Sequence, residues 1–109
     1  MKRGDVVTIA LQGDLGKPRP AVVVETDRLK PSTHILVCPG TSAVRREIEL
    51  RRVLVMPDAG NNLRAPTHFQ IDRLIGMRRE NCGEVIGLLD AESMAQIDAR
   101  LIAILGLAE

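Results

Sequence analysis

The amino-acid sequence predicts a domain of the α+β class, mainly β, in which a small and strongly bent sheet or partly open barrel carries one C-terminal helix. Two observations favour this class. As far as residue 88, short apolar runs alternate with glycine, proline and polar turn residues, which is typical of several short strands. Beyond that point apolar residues recur at helical spacing. The chain contains no repeat, low-complexity tract or linker, so we expect residues 1–109 to form a single domain.

Alternating or continuous apolar residues predict the strands. We assign them to residues 5–11, 19–25, 34–39, 45–55, 67–74 and 84–88. The fourth run is either one bent strand or two, which gives a sheet of about six to seven strands. Pro39 lacks a backbone N–H, and we expect it to end the pairing of the third strand. Residues 40–44 are predicted as a turn, residues 58–62 as the strongest turn of the chain, and residues 76–83 as a polar, irregular stretch.

A helix is predicted where the apolar period changes, after residue 89. Asp90 is a good N-cap, and Glu92 adds negative charge to the first turn. The apolar stripe that we expect to pack against the sheet consists of Met94, Ile97, Leu101, Ile104 and Leu105. Gly106 is predicted to end the helix.

Composition excludes several classes of function. The formal net charge is +1, so contact with RNA needs a local basic patch or a short substrate rather than a field over the whole chain. There is no Trp or Tyr and one Phe, which argues against modules that stack bases on aromatic side chains. No apolar run reaches the ~18 residues of a membrane span, and no apolar signal region opens the chain. We therefore expect a cytoplasmic protein that does not bind membranes.

The two cysteines are far apart, and neither has metal-ligand spacing around it. We expect Cys38 to be buried in a strand, and Cys82 to lie in a polar loop where it could be exposed. Metal, nucleotide and cofactor motifs are lacking from the sequence. We therefore expect no metal site and no cofactor.

Arg19 is the first candidate functional residue, because it stands between Pro18 and Pro20 at the start of an apolar strand. Each proline restricts its own backbone and that of the residue before it, so a permanently charged, forked phosphate donor is held at the mouth of a rigid strand. The alternative is an ordinary surface arginine. Lys17 precedes this segment and is a second candidate for binding an anionic substrate.

Thr41 and Ser42 form a second polar cluster at a strand end. Gly40 permits unusual backbone angles, so the amides and hydroxyls of the two residues could face one anion. The alternative is a turn whose hydroxyls bond locally to the backbone.

Several titratable residues are candidates for proton transfer. Asp14 lies in the first loop, and Asp72 lies in an otherwise apolar strand, where with Arg73 it could form only an exposed pair. His34 and His68 stand beside threonines in predicted strands, and imidazole titrates near neutrality. A strand histidine is equally compatible with a surface or structural role.

Taken together, these segments resemble the MazF/PemK family of toxins from type II toxin–antitoxin systems, in order and spacing over nearly the whole chain. The segments that carry the resemblance are Arg3-Gly4-Asp5-Val6-Val7, Arg19-Pro20-Ala21-Val22-Val23-Val24, Cys38-Pro39-Gly40-Thr41-Ser42, Asn62-Leu63-Arg64-Ala65-Pro66-Thr67, Asp72, Gly83, Ile86-Gly87 and Ala103-Ile104-Leu105-Gly106-Leu107. Arg73 stands where the family often has Gln, and Gly76 where it often has Thr.

The resemblance implies a small SH3-like, partly open barrel that assembles as a homodimer and acts as a metal-independent, sequence-specific endoribonuclease on single-stranded RNA, usually mRNA. Arg19 and Thr41 would be the principal catalytic pair, with Asp72 as a supporting catalytic residue. The implied substrate-binding residues are Asp14 (in place of a family glutamate), Lys17, Ser42, His68, Gln70 and Arg73. The implied protein partner is an antitoxin whose disordered acidic tail lies in the RNA groove.

The implied reaction is attack of the ribose 2′-OH on the adjacent phosphorus, which leaves a 2′,3′-cyclic phosphate. Arg19 and Thr41 can stabilise the charge on that phosphate. Arginine is a poor base, so Asp72, Asp14 or His68 would assist proton transfer. The alternative function is that of a CcdB-like toxin, which poisons DNA gyrase without cutting RNA and would depend on residues 105–109.

Overall fold

The computed structural model describes residues 1–10, 17–43 and 50–109. Within these ranges the chain forms seven strands and one α-helix. They are β1 (Asp5–Ile9), β2 (Arg19–Val23), β3 (His34–Thr41), β4 (Arg52–Val55), β5 (Thr67–Gln70), β6 (Ile75–Arg78), β7 (Cys82–Leu88) and α1 (Ala91–Ile104). Short 3₁₀ turns follow β5 at Ile71–Arg73 and β6 at Arg79–Asn81.

All strand pairs are antiparallel, and the main path through the sheet runs β4-β5-β3-β2-β1-β7. The long strand β3 pairs with β2 along one edge. Its other edge is shared, because residues 34–37 pair with β6 and residues 40–41 pair with β5. The sheet is bent and not closed, so the predicted partly open barrel with a C-terminal helix is confirmed.

Two buried clusters lie on opposite faces of the sheet. On one face, which we call the helix face, α1 inserts Ile97 against a cluster that includes Val22, Cys38, Val53 and Phe69. On the other face, which we call the far face, the cluster consists of Val7, Ile9, Ala21, Val23, Ile35, Val37 and Met77. Both faces of the central strands therefore carry buried apolar side chains, as expected from continuous apolar runs.

The helix agrees with its sequence signals at both ends. The Asp90 side chain accepts a hydrogen bond of 2.7 Å from the Ser93 amide, which is an N-cap. Gly106 adopts a left-handed φ of +70° just after the helix, as a stop residue should. The prediction that Ile104 and Leu105 pack against the sheet is wrong, because their side chains are 39% and 54% exposed. These residues belong to the last turn, beyond the part of α1 that packs on the core.

The prediction that Pro39 ends the third strand is wrong. Pro39 pairs with Ala21, and β3 continues through Gly40 to Thr41. On its other edge Pro39 lies between the residues that pair with β6 and those that pair with β5, where the ladder is already interrupted.

Two further boundaries differ from prediction. The strand predicted over residues 67–74 ends at Gln70, and Ile71 begins a 3₁₀ turn that buries its side chain. The stretch 76–83 was predicted to be irregular, but it contains β6, whose Met77 lies opposite Ile35 and packs into the far-face cluster. A strand with one inward side chain between a glycine and an arginine is formed by pairing with β3 rather than by local propensity.

Cys38 is fully buried in β3, as predicted, and Cys82 is partly exposed at the start of β7 rather than in a loop. The strand predicted over residues 45–55 is observed as β4, and its first part lies outside the described residues. No helix in the described ranges is both long and apolar enough to span a membrane.

Candidate active site

A cavity of about 610 Å³ lies where β2 begins and β3 ends. Its polar lining residues include Lys17, Arg19, Thr41, Ser42, Asn62 and Arg64. Leu63, Ala65 and Ile86 supply apolar wall. Four of the predicted site residues, Lys17, Arg19, Thr41 and Ser42, therefore border one cavity.

Arg19 and Thr41 reach this cavity from adjacent strands. Arg19 is the first residue of β2, and Thr41 is the last residue of β3. The last pair between the two strands is Ala21 with Pro39, and the same antiparallel register continued for two more residues would place Arg19 opposite Thr41. Opposed residues of an antiparallel pair project to the same face about 4.5–5.5 Å apart at the backbone. A half-buried guanidinium and a half-buried hydroxyl thus start from neighbouring positions at the rim of the cavity.

The Thr41 hydroxyl is already engaged on one side. Its oxygen accepts a hydrogen bond of 3.2 Å from the Ala43 amide. A threonine hydroxyl has one proton and two lone pairs, so this contact leaves the proton available for an anion. The local bond that sequence analysis weighed as an alternative to anion binding is therefore present and compatible with it.

Gly40 is needed for close packing and not for an unusual backbone angle. Its φ is not in the left-handed region, where the described glycines are Gly4 and Gly106. A Cβ at Gly40 would lie 2.6 Å from the Thr67 Cγ2 atom and 3.2 Å from the Phe69 Cε1 atom. The absent side chain lets β5 approach β3 beside Thr41, which corrects the reason that the sequence suggested.

The opposite wall of the cavity follows the predicted turn at residues 58–62, which is confirmed. The side-chain oxygen of buried Asn61 accepts hydrogen bonds from the amides of Asp58 and Leu63. Asn62 adopts a φ of +54°, and its Nδ2 atom donates a 2.7 Å hydrogen bond to the Ile86 carbonyl in β7. This turn therefore sets the course of residues 62–65, which line the cavity.

Arg64 is a cavity residue that the sequence analysis did not select. It was part of a segment resembling the toxin family, and that was the available signal. With Lys17 and Arg19, it makes three cationic residues around the cavity, whereas none of its lining residues in the described ranges is Asp or Glu. Such a lining suits a phosphate, which forked arginines bind through two oxygens.

His68 and Gln70 do not line the cavity, but both lie on the far face with Thr41. The register places His68 directly opposite Thr41 across the β3–β5 pair, and Gln70 opposite Arg52 across the β4–β5 pair. His68 is half-buried, and Gln70 is 8% exposed.

Asp72 and Arg73 lie elsewhere. Both are exposed in the 3₁₀ turn that contacts α1, and neither lines the cavity. Burial raises the pKa of the nearby Cys38 thiol to about 12, with a smaller contribution from the charge of Asp72. Asp14 lies outside the described residues. Within the described part of the chain, no group of three or more His, Cys, Asp or Glu side chains could hold a metal ion.

Comparison with known proteins agrees with this architecture. Residues 2–105 match the family model described as the PemK-like, MazF-like toxin of type II toxin–antitoxin systems. The chain belongs to this family. The predicted MazF/PemK resemblance is thereby confirmed, and the CcdB-like alternative is not favoured.

One relative matches this chain over nearly its full length. This relative is a protein of Mycolicibacterium smegmatis described as a probable endoribonuclease MazF. The two chains are 29% identical over 109 residues, and the match covers 99% of each.

Solved structures of MazF toxins share the fold. The Mycobacterium tuberculosis toxin MazF-mt6 superposes with a TM-score of 0.77 at 23% identity, covering 94% of this chain and 96% of that one. An endoribonuclease from a mycobacterial species, solved with its cognate antitoxin, superposes with a TM-score of 0.81 at 19% identity, covering 100% and 98%. A structure of MazE–MazF from Deinococcus radiodurans superposes with a TM-score of 0.75 at 19% identity, covering 99% of this chain and 98% of that one.

Proposed function

We propose that this MazF-family toxin is a sequence-specific endoribonuclease that cleaves single-stranded RNA, chiefly mRNA, without a metal ion. Family membership and the relative described as a probable endoribonuclease support the reaction class. The observation that carries the proposal is that Arg19 and Thr41 border one basic cavity from neighbouring ends of two adjacent, paired strands. Residues 1–109 act as one toxin domain in this proposal.

The RNA supplies its own nucleophile. The ribose 2′-oxygen attacks the adjacent phosphorus, the bond to the 5′-oxygen breaks, and the products are a 2′,3′-cyclic phosphate and a 5′-hydroxyl. The protein must align the phosphate and stabilise the charge that builds on its oxygens. Arg19 does so through its two-pronged guanidinium, and Thr41 by donating the proton that its bond from Ala43 leaves available.

Two protons must also move, one from the 2′-oxygen and one to the departing 5′-oxygen. Of the two candidates within the described residues, His68 and Asp72, His68 lies nearer to Thr41, directly opposite it on the far face. Asp72 lies beside α1, so a direct role for it requires a substrate that extends beyond the cavity. The RNA-binding roles of Ser42, Lys17, Gln70 and Arg73 stay predictions of the same proposal.

The proposed partners follow from the same surface. Structural neighbours were solved with a cognate antitoxin or with MazE, and a cavity lined by Lys17, Arg19 and Arg64 would attract an acidic antitoxin segment as it attracts RNA. A homodimer is proposed because the sheet leaves apolar side chains exposed, among them Leu36, Leu54 and Ile75. The proposed mRNA substrate places the protein in the cytoplasm.

The test is to map RNA 5′ ends in cells after brief induction of the wild type or of Arg19→Ala, and then to cleave an oligonucleotide containing the mapped site with purified protein. We expect growth arrest and new ends with the wild type alone, and cleavage that persists in EDTA. A 2′-deoxy substitution at the scissile nucleotide should abolish cleavage. Cleavage of that deoxy linkage would exclude the proposed nucleophile, and equal arrest by Arg19→Ala without new ends would exclude RNA cleavage as the toxic activity.

A further inference from the structure

Arg52, at the start of β4, is a buried cation that the proposed chemistry has not yet used. The residue is only 6% exposed. In the described part of the chain no carboxylate forms an ion pair with it, and its Nε atom has no hydrogen-bond partner. Burying a charge without a counter-ion is unfavourable, and an apolar side chain of similar volume often stabilises a fold as well. Stability alone is therefore a poor explanation for an arginine here.

The one hydrogen bond of the Arg52 side chain in these ranges points to a different role. Its Nη1 atom donates a 2.7 Å bond to the Ala43 carbonyl, on the segment that follows β3. Ala43 in turn donates its amide hydrogen to the Thr41 hydroxyl oxygen. Ala43 is thus held at its carbonyl by a buried guanidinium, while its N–H sets the orientation of the hydroxyl that borders the cavity.

The sheet register also shows which face Arg52 and Thr41 share. Arg52 lies opposite Gln70, and two residues along the same strands Leu54 lies opposite His68, which lies opposite Thr41. Side chains two residues apart on a strand share a face. Arg52 and Thr41 therefore lie on the same face of the sheet, with β5 between their strands.

We propose that Arg52 is a positioning residue, which acts through Ala43 to hold the Thr41 hydroxyl with its proton directed at the scissile phosphate. This inference rests on the proposed RNA cleavage. Thr41 ends its strand, and beyond it a free threonine rotor and a mobile peptide would populate several hydroxyl directions. Fixing Ala43 by a buried donor selects one of them, and misplacement by about 1 Å can lower a rate on the order of 100-fold.

The principal test is a double-mutant cycle between Arg52→Met and Thr41→Ala, with Arg51→Gln as the matched control. Arg51 is the adjacent arginine, and it is exposed. Single-turnover cleavage is measured at saturating RNA, and affinity is measured with the uncleavable 2′-deoxy oligonucleotide. We expect Arg52→Met to lower the cleavage rate roughly 10-fold to 100-fold with little change in RNA affinity, and Arg51→Gln to change neither. In the Thr41→Ala background, Arg52→Met should cause no further loss.

An equal loss in both backgrounds would assign Arg52 a general structural role and overturn the inference, as would a wild-type rate for Arg52→Met. A second measurement does not depend on RNA cleavage. Amide hydrogen exchange and the NMR shift of Ala43 should change in Arg52→Met, while the amides of β1 and β2 keep their protection. Unchanged exchange at Ala43 would overturn the positioning role even in an active enzyme. Failure of the wild type to cleave RNA would instead overturn the proposed function.

Discussion

Arg19 begins β2 and Thr41 ends β3, two residues beyond the last pair of these adjacent antiparallel strands, and both border the same basic cavity. Neighbouring antiparallel strands therefore keep the backbones of the two residues close together. The loops beyond the strand ends can vary without separating the two groups. In the proposed mechanism, this arrangement lets a small domain direct a cation and a hydroxyl at one phosphate.

Replacing Arg19 by Lys should impair cleavage although the charge is kept. Lysine is a point donor and cannot bind two phosphate oxygens through a planar fork. Loss of one transition-state contact of this kind costs on the order of 10²–10³ in rate. Single-turnover cleavage of the mapped oligonucleotide measures it, with a thermal melt to confirm folding. A wild-type rate for Arg19→Lys would mean that charge alone suffices at this position.

Arg64→Gln should weaken RNA binding in a salt-dependent manner. If Arg64 contacts one RNA phosphate, the slope of log affinity against log salt for the 2′-deoxy oligonucleotide should become shallower by about 0.7. Arg28→Gln is the matched control, because Arg28 is an exposed arginine outside the cavity and carries the same change in charge. Equal changes in both variants would indicate a general electrostatic effect and not a contact in the cavity.

Gly40→Ala should destabilise the protein by about 1–3 kcal/mol, because the new methyl group meets Thr67 and Phe69 in a packed interface. Denaturant unfolding measures the free energy. Gly76→Ala is the control, since a Cβ there meets only the Leu36 Cδ2 atom at 3.8 Å. The double variant Gly40→Ala/Thr67→Ser removes the closest methyl group and should recover part of the loss. No recovery would place the strain elsewhere.

Asp90 should make a pH-dependent contribution to stability. Hydrogen bonding with Ser93, through its side chain first and its amide second, lowers the pKa of Asp90 below its usual 3.8. Because the folded-state pKa is the lower one, the carboxylate stabilises the fold above the unfolded-state pKa. That stabilisation is lost as the pH falls through the folded-state pKa.

Asp90→Asn keeps an N-cap but cannot titrate. The difference in melting temperature between wild type and Asp90→Asn should therefore shrink as the pH falls below about 4. A constant difference between pH 7 and pH 3 would contradict this contribution.

Features encoded by a few adjacent residues could be predicted from the sequence. Arg19 was found because prolines flank it, and the ends of α1 were found because Asp90 and Gly106 have specific backbone roles. Thr41 and Ser42 were selected together as a polar cluster, and both line the cavity, although Thr41 lies in a strand and not in a turn.

Features that depend on distant pairing could not be predicted. Strand β6 forms through pairing with β3, in which Met77 lies opposite Ile35, some forty residues earlier in the chain. The residues of β6 by themselves resemble a loop. Arg64 joins the cavity because the left-handed Asn62 redirects the chain towards it. The role inferred for Arg52 depends on a carbonyl nine residues away that only the folded sheet brings within reach.

The pairing of β1 with β7 has a consequence for synthesis on the ribosome. The first strand gains its outer neighbour only when residues 82–88 have been translated, and Ile86 of that strand also walls the cavity. An emerging N-terminal portion of the polypeptide therefore holds Arg19 and Thr41 without the part of the cavity wall that Ile86 supplies. If the proposed site is correct, a polypeptide that stops before β7 should not cleave RNA, since it lacks both the partner strand of β1 and the Ile86 side of the cavity.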